Sequence, residues 1–463
     1  MTSEYAGEGH GAGRAPQARP VRAAVLEAVA GWVPGLPVRN EELPAEWGVD
    51  DAWVRTRTGI AGRHRAGPGV STGDLAYEAA RLLLPGVADG GDDNRGDDRA
   101  GPGVGTGARV GAGTGVGAVV STGVGAGAEE GSLAADASAS GAAVDAVVLA
   151  TATPDHPCPG TAPALAARLG LGPVPAFDIG AVCSGFVYGL AVCRGLVGSG
   201  LYDRVLLVGA DVYSTLLDPR DRASGVVFGD GAGAALIGVG GPGDPGELLA
   251  FDLGSDGAGY DLITVAGGGA RDRARARAAD GAPAREDTYF RMRGRAVYQH
   301  AVERMTASCR SLLTTVGWDP AEVDHFVPHQ ANARILRAVA QRVGIGERRC
   351  VTHLDRVGNT GAASIPLALA DAAVRGRFRT GDRVLLTAFG GGLTWGTAAL
   401  RWPAVDMRAA VNPGADGVSP GADGVPPEAG GMRPGAGDVP PEAGGAPPPQ
   451  LSNHRIPEGR KRA

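Results

Sequence analysis

Short uninterrupted apolar runs alternate with amphipathic stretches over two parts of the chain, residues 21–84 and 144–403. Runs such as AVVLATAT after Asp145 and the string DRVLLVGAD from Asp203 show little polar alternation, the pattern of strands buried on both faces. Between them GAVCSGFVYGLAVCRGL (180–196) reads as a small-residue turn opening a helix. The same order recurs downstream as Asp324-HFVPHQ, GNTGAASIPLALADAAV (358–374) and DRVLLTAFG from Asp382. Asp145 and Asp203 lie 58 residues apart, as do Asp324 and Asp382. This repetition predicts a duplicated α/β domain with a pseudo-twofold axis, built from parallel strands and crossover helices. Chemistry in such sheets sits beyond the strand ends, so the two turns should face one shared site.

Outside those parts the pattern fades. Residues 1–20, 85–143 and 404–463 carry too few large apolar side chains to offset their ordering entropy; 85–143 has no aromatic and a single leucine, Leu133. The last segment repeats PGADGV (413–418, 420–425) and PPEAGG (426–431, 440–445) without a hydrophobic face. The expected division is a disordered N-terminus (1–20), an N-terminal half (21–240) with a low-complexity insert (85–143), a C-terminal half (241–403) and a disordered Pro/Gly-rich tail (404–463). The Arg/Ala-rich run 270–286 reads as a surface loop. Matches to G-x-G-x-x-G within 101–128 lack a preceding strand and a following helix, so they carry no dinucleotide reading.

Composition narrows the function. Gly and Pro account for 78 and 33 of 463 residues, which fits a chain that is partly unpacked. A net charge of −6 and a pI near 5.8 argue against nucleic-acid and anionic-membrane partners. No apolar run approaches a membrane span or a signal peptide, which leaves a cytoplasmic expectation. The five cysteines are scattered and form no Cys-x-x-Cys pair, so neither a disulfide framework nor a metal site is expected.

The two turns carry the candidate chemistry. Cys183, among Gly180, Ser184 and Gly185, opens a helix whose dipole and free N–H groups favour a thiolate, predicting a lowered pKa. A small buried core cysteine is the plain alternative, and Cys193 in the same helix reads as one. His329 follows the apolar run of the second copy, and Asn359 lies in its turn; singly, a structural histidine and an N-cap serve as well. Together at duplicated strand ends they read as a nucleophile with two polar partners. The glycine run Phe389–Trp395 offers backbone N–H groups for an oxyanion hole.

These strings, with WVRTRTGI (53–60), AVCSGF (181–186), VVFGDGAGA (226–234), PHQANAR (328–334), GNTGAAS (358–364) and AFGGGLTWG (388–396), resemble the β-ketoacyl-acyl carrier protein synthase III family of thiolase-like condensing enzymes. The resemblance implies a five-layered α-β-α-β-α sandwich and a homodimer. It implies that Cys183 takes an acyl group from acyl-CoA while the N–H groups of Cys183 and Gly391 hold the oxyanion. His329 and Asn359 then stabilise the enolate as malonyl-acyl carrier protein loses carbon dioxide. No metal or redox cofactor enters. A Cys-His-Asn set separates the chain from elongating enzymes with Cys-His-His and from thiolases with two catalytic cysteines. The family places CoA on Trp53, Arg57 and Arg222, and the carrier protein against Gln330, Ala331, Asn332, Ala333 and Arg334, with Arg337 and Arg342 on the same helix opposing an acidic partner. Cys158 falls near a position where some relatives place a bulky residue shaping the partner's acyl pocket, which implies a longer or branched primer. Two other functions fit less: an acyltransferase using Cys183 without decarboxylation, which would not need Asn359, and a catalytically silent carrier-protein binder, which would not need the full set.

Overall fold

The computed structural model describes residues 22–84, 87, 115–121, 143–278 and 288–404. The expectations for 1–20, for most of 85–143 and for 405–463 lie outside the described residues. In the N-terminal half, β1 (Ala23–Pro34) is followed by the small ribbon β2 (Val38–Arg39) and β3 (Gly62–Arg63), then by β4 (Gly115–Ser121), β5 (Ala146–Ala150), β6 (Ala176–Ile179), β7 (Val205–Asp211) and β8 (Gly231–Gly240). Its helices are α1 (Asp51–Thr58), α2 (Thr72–Arg81), α3 (Ala162–Arg168), α4 (Gly185–Gly198) and α5 (Arg222–Gly225). The C-terminal half contains β9 (Leu248–Ser255), the ribbon β10 (Ile263–Val265) and β11 (Phe290–Met292), β12 (His325–Pro328), β13 (Arg383–Gly390) and β14 (Thr394–Arg401). Its helices are α6 (Ala270–Ala278), α7 (Gly294–Val316), α8 (Ala333–Val343), α9 (Leu354–Val357) and α10 (Ser364–Val374).

The first sheet runs β4-β1-β8-β7-β5-β6 and the second β12-β13-β14-β9. The duplication is real in register as well as order. Ala146 faces Val205 across the parallel pair β5–β7, and His325 faces Val384 across β12–β13. Both members of the first pair recur 179 positions later as the second. The duplicated aspartates do the same work: Asp145 Oδ2 accepts the Arg204 N–H at 2.8 Å, and Asp324 Oδ2 accepts the Arg383 N–H at 2.8 Å. β6 adds a further parallel partner to β5, and parallel pairing of strands extends no further among the described residues. β8 runs antiparallel to β7 and β1, and β14 runs antiparallel to β13 and β9, so both sheets are mixed. Only three residues join β13 to β14, too few for a crossover.

Strand alternation divides the side chains among three cores. Val205 and Leu207 face inward with Val148, while Leu206 and Val208 face outward with Leu149. The inner core is filled by α4 and α10, sandwiched between the sheets; α2 and α3 cover the outer face of the first sheet, and α7 and α8 that of the second. This is the expected α-β-α-β-α layering. Two segments depart from expectation. Residues 115–121, inside the supposed low-complexity insert, pair antiparallel with β1 as an edge strand, because Val-rich backbone can extend a ladder without a large apolar face of its own. The start of the Arg/Ala run, Ala270–Ala278, forms α6 instead of a loop, since both residue types are strong helix formers, and 279–286 lie outside the described residues.

Candidate active site

The chain leaves β6 and reaches Cys183 through a tight 3₁₀ turn, Val182–Ser184, that runs directly into α4. Val182 has φ +48°, a left-handed conformation that β-branched residues rarely enter. The turn is held by Ser184, whose N–H and hydroxyl donate to the Ala181 carbonyl at 3.1 and 2.8 Å. Gly361, at the equivalent place in the second copy, has φ +58°, so both turns pass through the left-handed region.

Cys183 is half-buried, with the Tyr213 hydroxyl 3.9 Å from its Sγ. Burial, and then the Asp211 carboxylate, push its thiol up to about 12, against hydrogen bonds from Tyr213 and the Cys183 N–H. The expected low pKa is therefore corrected: the helix terminus is in place, but desolvation of a thiolate outweighs it. Asp211 is itself fully buried, and burial raises its carboxyl to about 7. Its oxygens accept the N–H groups of Ala152 and Ala362, both at 2.7 Å, and the Thr151 hydroxyl at 3.1 Å.

His329 is 3% exposed at the end of β12, its N–H donating to the Thr387 carbonyl at 2.7 Å. Burial holds its imidazole down at about 3, so the ring is neutral in ordinary buffers. Nδ1 lies 2.6 Å from Ser364 Oγ, which also accepts the Gln330 N–H at 3.3 Å. Among the described residues Nδ1 is the one acceptor that the Ser364 hydroxyl reaches, so its proton donates there and the imidazole proton sits on Nε2. Asn359 is fixed by its N–H to the Val227 carbonyl at 2.9 Å, and its Oδ1 accepts the Gly361 N–H at 3.0 Å. His329 Nε2 and Asn359 Nδ2 have no hydrogen-bond partner among the described residues, so two oriented donors remain free.

Contacts join the three residues into one locus. The Tyr213 ring beside Cys183 abuts Gly361, where an added Cβ would lie 2.4 Å from Cε2, and Ser364 at the end of the same turn holds His329. Gly390 lies over the nucleophile turn: a Cβ there would sit 2.9 Å from the Cys183 nitrogen. Neighbouring Gly391 is buried, and no turn or loop hydrogen bond engages its N–H among the described residues. Sequence reasoning missed Tyr213, Asp211 and Ser364, although Ser364 closes the GNTGAAS string and Asp211 closes a repeated strand.

The expected CoA residues also meet. The guanidinium of Arg57 lies 4.3 Å, and that of Arg222 5.6 Å, from the Trp53 ring centroid. The carrier-protein segment needs correction. Gln330 is fully buried, donating to the carbonyls of Pro328 and Val351 and accepting the N–H groups of His353 and Leu354; it braces the loop and cannot meet a partner. Asn332 caps α8 through the Arg334 N–H and donates to the Arg57 carbonyl at 3.2 Å. Ala331 and Ala333 are half-buried, Ala333 against Gly59, which leaves Arg334, Arg337 and Arg342 as the exposed groups. A cavity of about 460 Å³ bordered by Arg39, His64, His353 and Asp371 includes none of the expected site residues. Among the described residues no group of three His, Cys, Asp or Glu side chains is arranged to hold a metal, and no helix is long and apolar enough to cross a membrane.

The family model described as 3-oxoacyl-[acyl-carrier-protein (ACP)] synthase III matches residues 177–257, and that of its C-terminal portion matches 313–402. The chain is 48% identical over 383 residues to β-ketoacyl-[acyl-carrier-protein] synthase III 5 of Streptomyces coelicolor, covering 83% of this chain and 98% of that protein. It is 42% identical over 384 residues to β-ketoacyl-[acyl-carrier-protein] synthase III of Pseudomonas aeruginosa LESB58, with 83% and 98% covered. The chain belongs to the β-ketoacyl-[acyl-carrier-protein] synthase III family. Among solved structures, 3-oxoacyl-(acyl carrier protein) synthase III from Pseudomonas aeruginosa PAO1 matches with a TM-score of 0.64 at 40% identity, covering 83% of this chain and 99% of that one. The priming β-ketosynthase of the R1128 polyketide pathway matches with a TM-score of 0.65 at 25% identity, covering 84% and 99%. As a β-ketoacyl synthase III the protein is a condensing acyltransferase.

Proposed function

We propose that the protein starts acyl-chain synthesis by joining an acyl-CoA primer to malonyl-acyl carrier protein. The observation that carries this reading is the pairing of a half-buried nucleophile with two free donors from the second half, one at the end of β12 and one on the turn before α10. Cys183 Sγ attacks the thioester carbonyl, the oxyanion rests on the N–H groups of Cys183 and Gly391, and CoA leaves carrying the thiol proton. Malonyl-carrier protein then places its thioester oxygen at His329 Nε2 and Asn359 Nδ2. Carbon dioxide departs, and the bond's electron pair becomes an enolate held by those donors. The enolate carbon attacks the acyl-enzyme, releasing 3-oxoacyl-carrier protein and a Cys183 thiolate that takes up a proton. The chemistry needs no metal or redox cofactor.

In this reading Trp53, Arg57 and Arg222 receive CoA, and Arg334, Arg337 and Arg342 meet the acidic carrier protein. β6 ends the first sheet with Phe177 38% exposed, an edge on which a second copy completes a homodimer. A cytoplasmic setting supplies both substrates. The test is intact-mass measurement after mixing with acetyl-CoA, then assay of 3-oxoacyl-carrier protein on adding malonyl-carrier protein. Wild type should gain one acyl group and form product, and Cys183→Ser neither. Full acylation of Cys183→Ser, or acylation without carbon dioxide release, would reject the priming role.

A further inference from the structure

We infer that Tyr213 sets the primer length and restricts this enzyme to short acyl groups; the inference rests on the acyl-enzyme proposed above. Tyr213 follows β7 and is 1% exposed, with its hydroxyl 3.9 Å from Cys183 Sγ. No other hydrogen-bond partner of that hydroxyl occurs among the described residues. The surroundings of the sulfur are unequal. One side is polar and backbone-lined, with Gly390 over the Cys183 nitrogen and the Ser184 and Thr394 hydroxyls 2.7 Å apart. The other side is the aromatic cluster of Tyr213, Phe228 and Phe290, with Leu217.

An acyl group on Sγ must aim its carbonyl oxygen at the backbone N–H groups. Its alkyl tail then turns to the apolar side, where Tyr213 stands first. That ring has little freedom. It stacks on Phe228 at a centroid distance of 4.6 Å and an interplanar angle of 20°, and meets Phe290 edge-on at 5.9 Å. Its other edge abuts Gly361, in the turn that carries Asn359, so swinging the ring aside would disturb the enolate donors. With the phenol 3.9 Å from the sulfur, a long tail must displace it.

The test is the rate of Cys183 acylation, by intact mass, with acetyl-, butyryl- and octanoyl-CoA. Wild type should prefer acetyl over octanoyl by at least about 100-fold, since an apolar pocket discriminates about 10- to 200-fold per methylene it cannot accommodate. Tyr213→Ala should raise the octanoyl-to-acetyl ratio at least about tenfold. Tyr213→Phe, which keeps the ring, should retain the discrimination. If the alanine variant fails to fold, Tyr213→Leu should move the ratio in the same direction. Octanoyl transfer by wild type as fast as acetyl transfer, or an unmoved ratio in folded Tyr213→Ala or Tyr213→Leu, would overturn the inference alone. No adduct from any donor would overturn the acyl-enzyme reading and this inference with it.

Discussion

The turn after β6 and the turn before α10 occupy equivalent places in the two halves, yet they are finished differently. Each is crossed by the strand end of the other half. Asp211 ends β7 and accepts the Ala362 N–H of the second turn at 2.7 Å. The equivalent residue of β13 is Gly390, which lies against the Cys183 nitrogen with no side chain to accept anything. One turn therefore has its N–H occupied by a buried carboxylate, and the other keeps its N–H available for substrate. The fold supplies a symmetrical scaffold, and a Gly-for-Asp difference leaves one turn's N–H free, as the proposed oxyanion site requires, and braces the other turn beside Asn359 and Ser364.

The sharpest way to break this comparison is to fill the bare position. Gly390→Ala places a methyl group 2.9 Å from the Cys183 nitrogen and 3.1 Å from the Ala181 carbonyl, both backbone that cannot swing away. Acyl-enzyme formation should fall about 10²–10³-fold, the usual cost of losing an oxyanion donor; a stopped-flow or quenched mass assay with acetyl-CoA reads it, and an unchanged rate would show that this N–H is not used. Next comes the thiol. With Cys183 raised to about 12, its iodoacetamide reaction should climb about tenfold per pH unit from pH 7 to 10, because only the thiolate reacts. A plateau beginning near pH 7 would mean that the helix terminus prevails after all.

A smaller effect is expected on the occupied side. Asp211→Ala orphans the buried N–H groups of Ala152 and Ala362, each costing about 1–3 kcal/mol. Thermal unfolding should drop by several degrees, and an unshifted midpoint would remove Asp211 from its bracing role. The smallest change should come from Arg334→Glu, which lies outside both turns. It should raise the KM for malonyl-carrier protein a few-fold, with the difference shrinking at high salt, and leave acetyl-CoA acylation alone.

The duplication, and the meeting of Cys183, His329 and Asn359 at one locus, were legible from local marks: apolar runs, a fixed spacing and small-residue turns ahead of helices; the layering followed from the family resemblance. What stayed hidden depends on three-dimensional surroundings. Gln330 sits in a string that reads as exposed, yet four backbone partners enclose it. The helix start before α4 announces a reactive cysteine, but only packing reveals how much water the sulfur has lost. β4 was hidden for another reason, since pairing with β1 supplies what its composition lacks. The antiparallel half of each sheet follows from connection lengths, which apolar runs do not report.

The central claim is that the two turns divide the reaction, the first taking the acyl group and the second promoting decarboxylation. Asn359→Ala tests it most directly, through radiolabelled acyl group retained on the protein and labelled carbon dioxide released from malonyl-carrier protein. Removal of one oriented donor should cut carbon dioxide release about 10²–10³-fold. Acylation of Cys183 should stay near the wild-type rate, so that acyl-enzyme accumulates. Equal loss of both steps, or decarboxylation at the wild-type rate, would contradict the division.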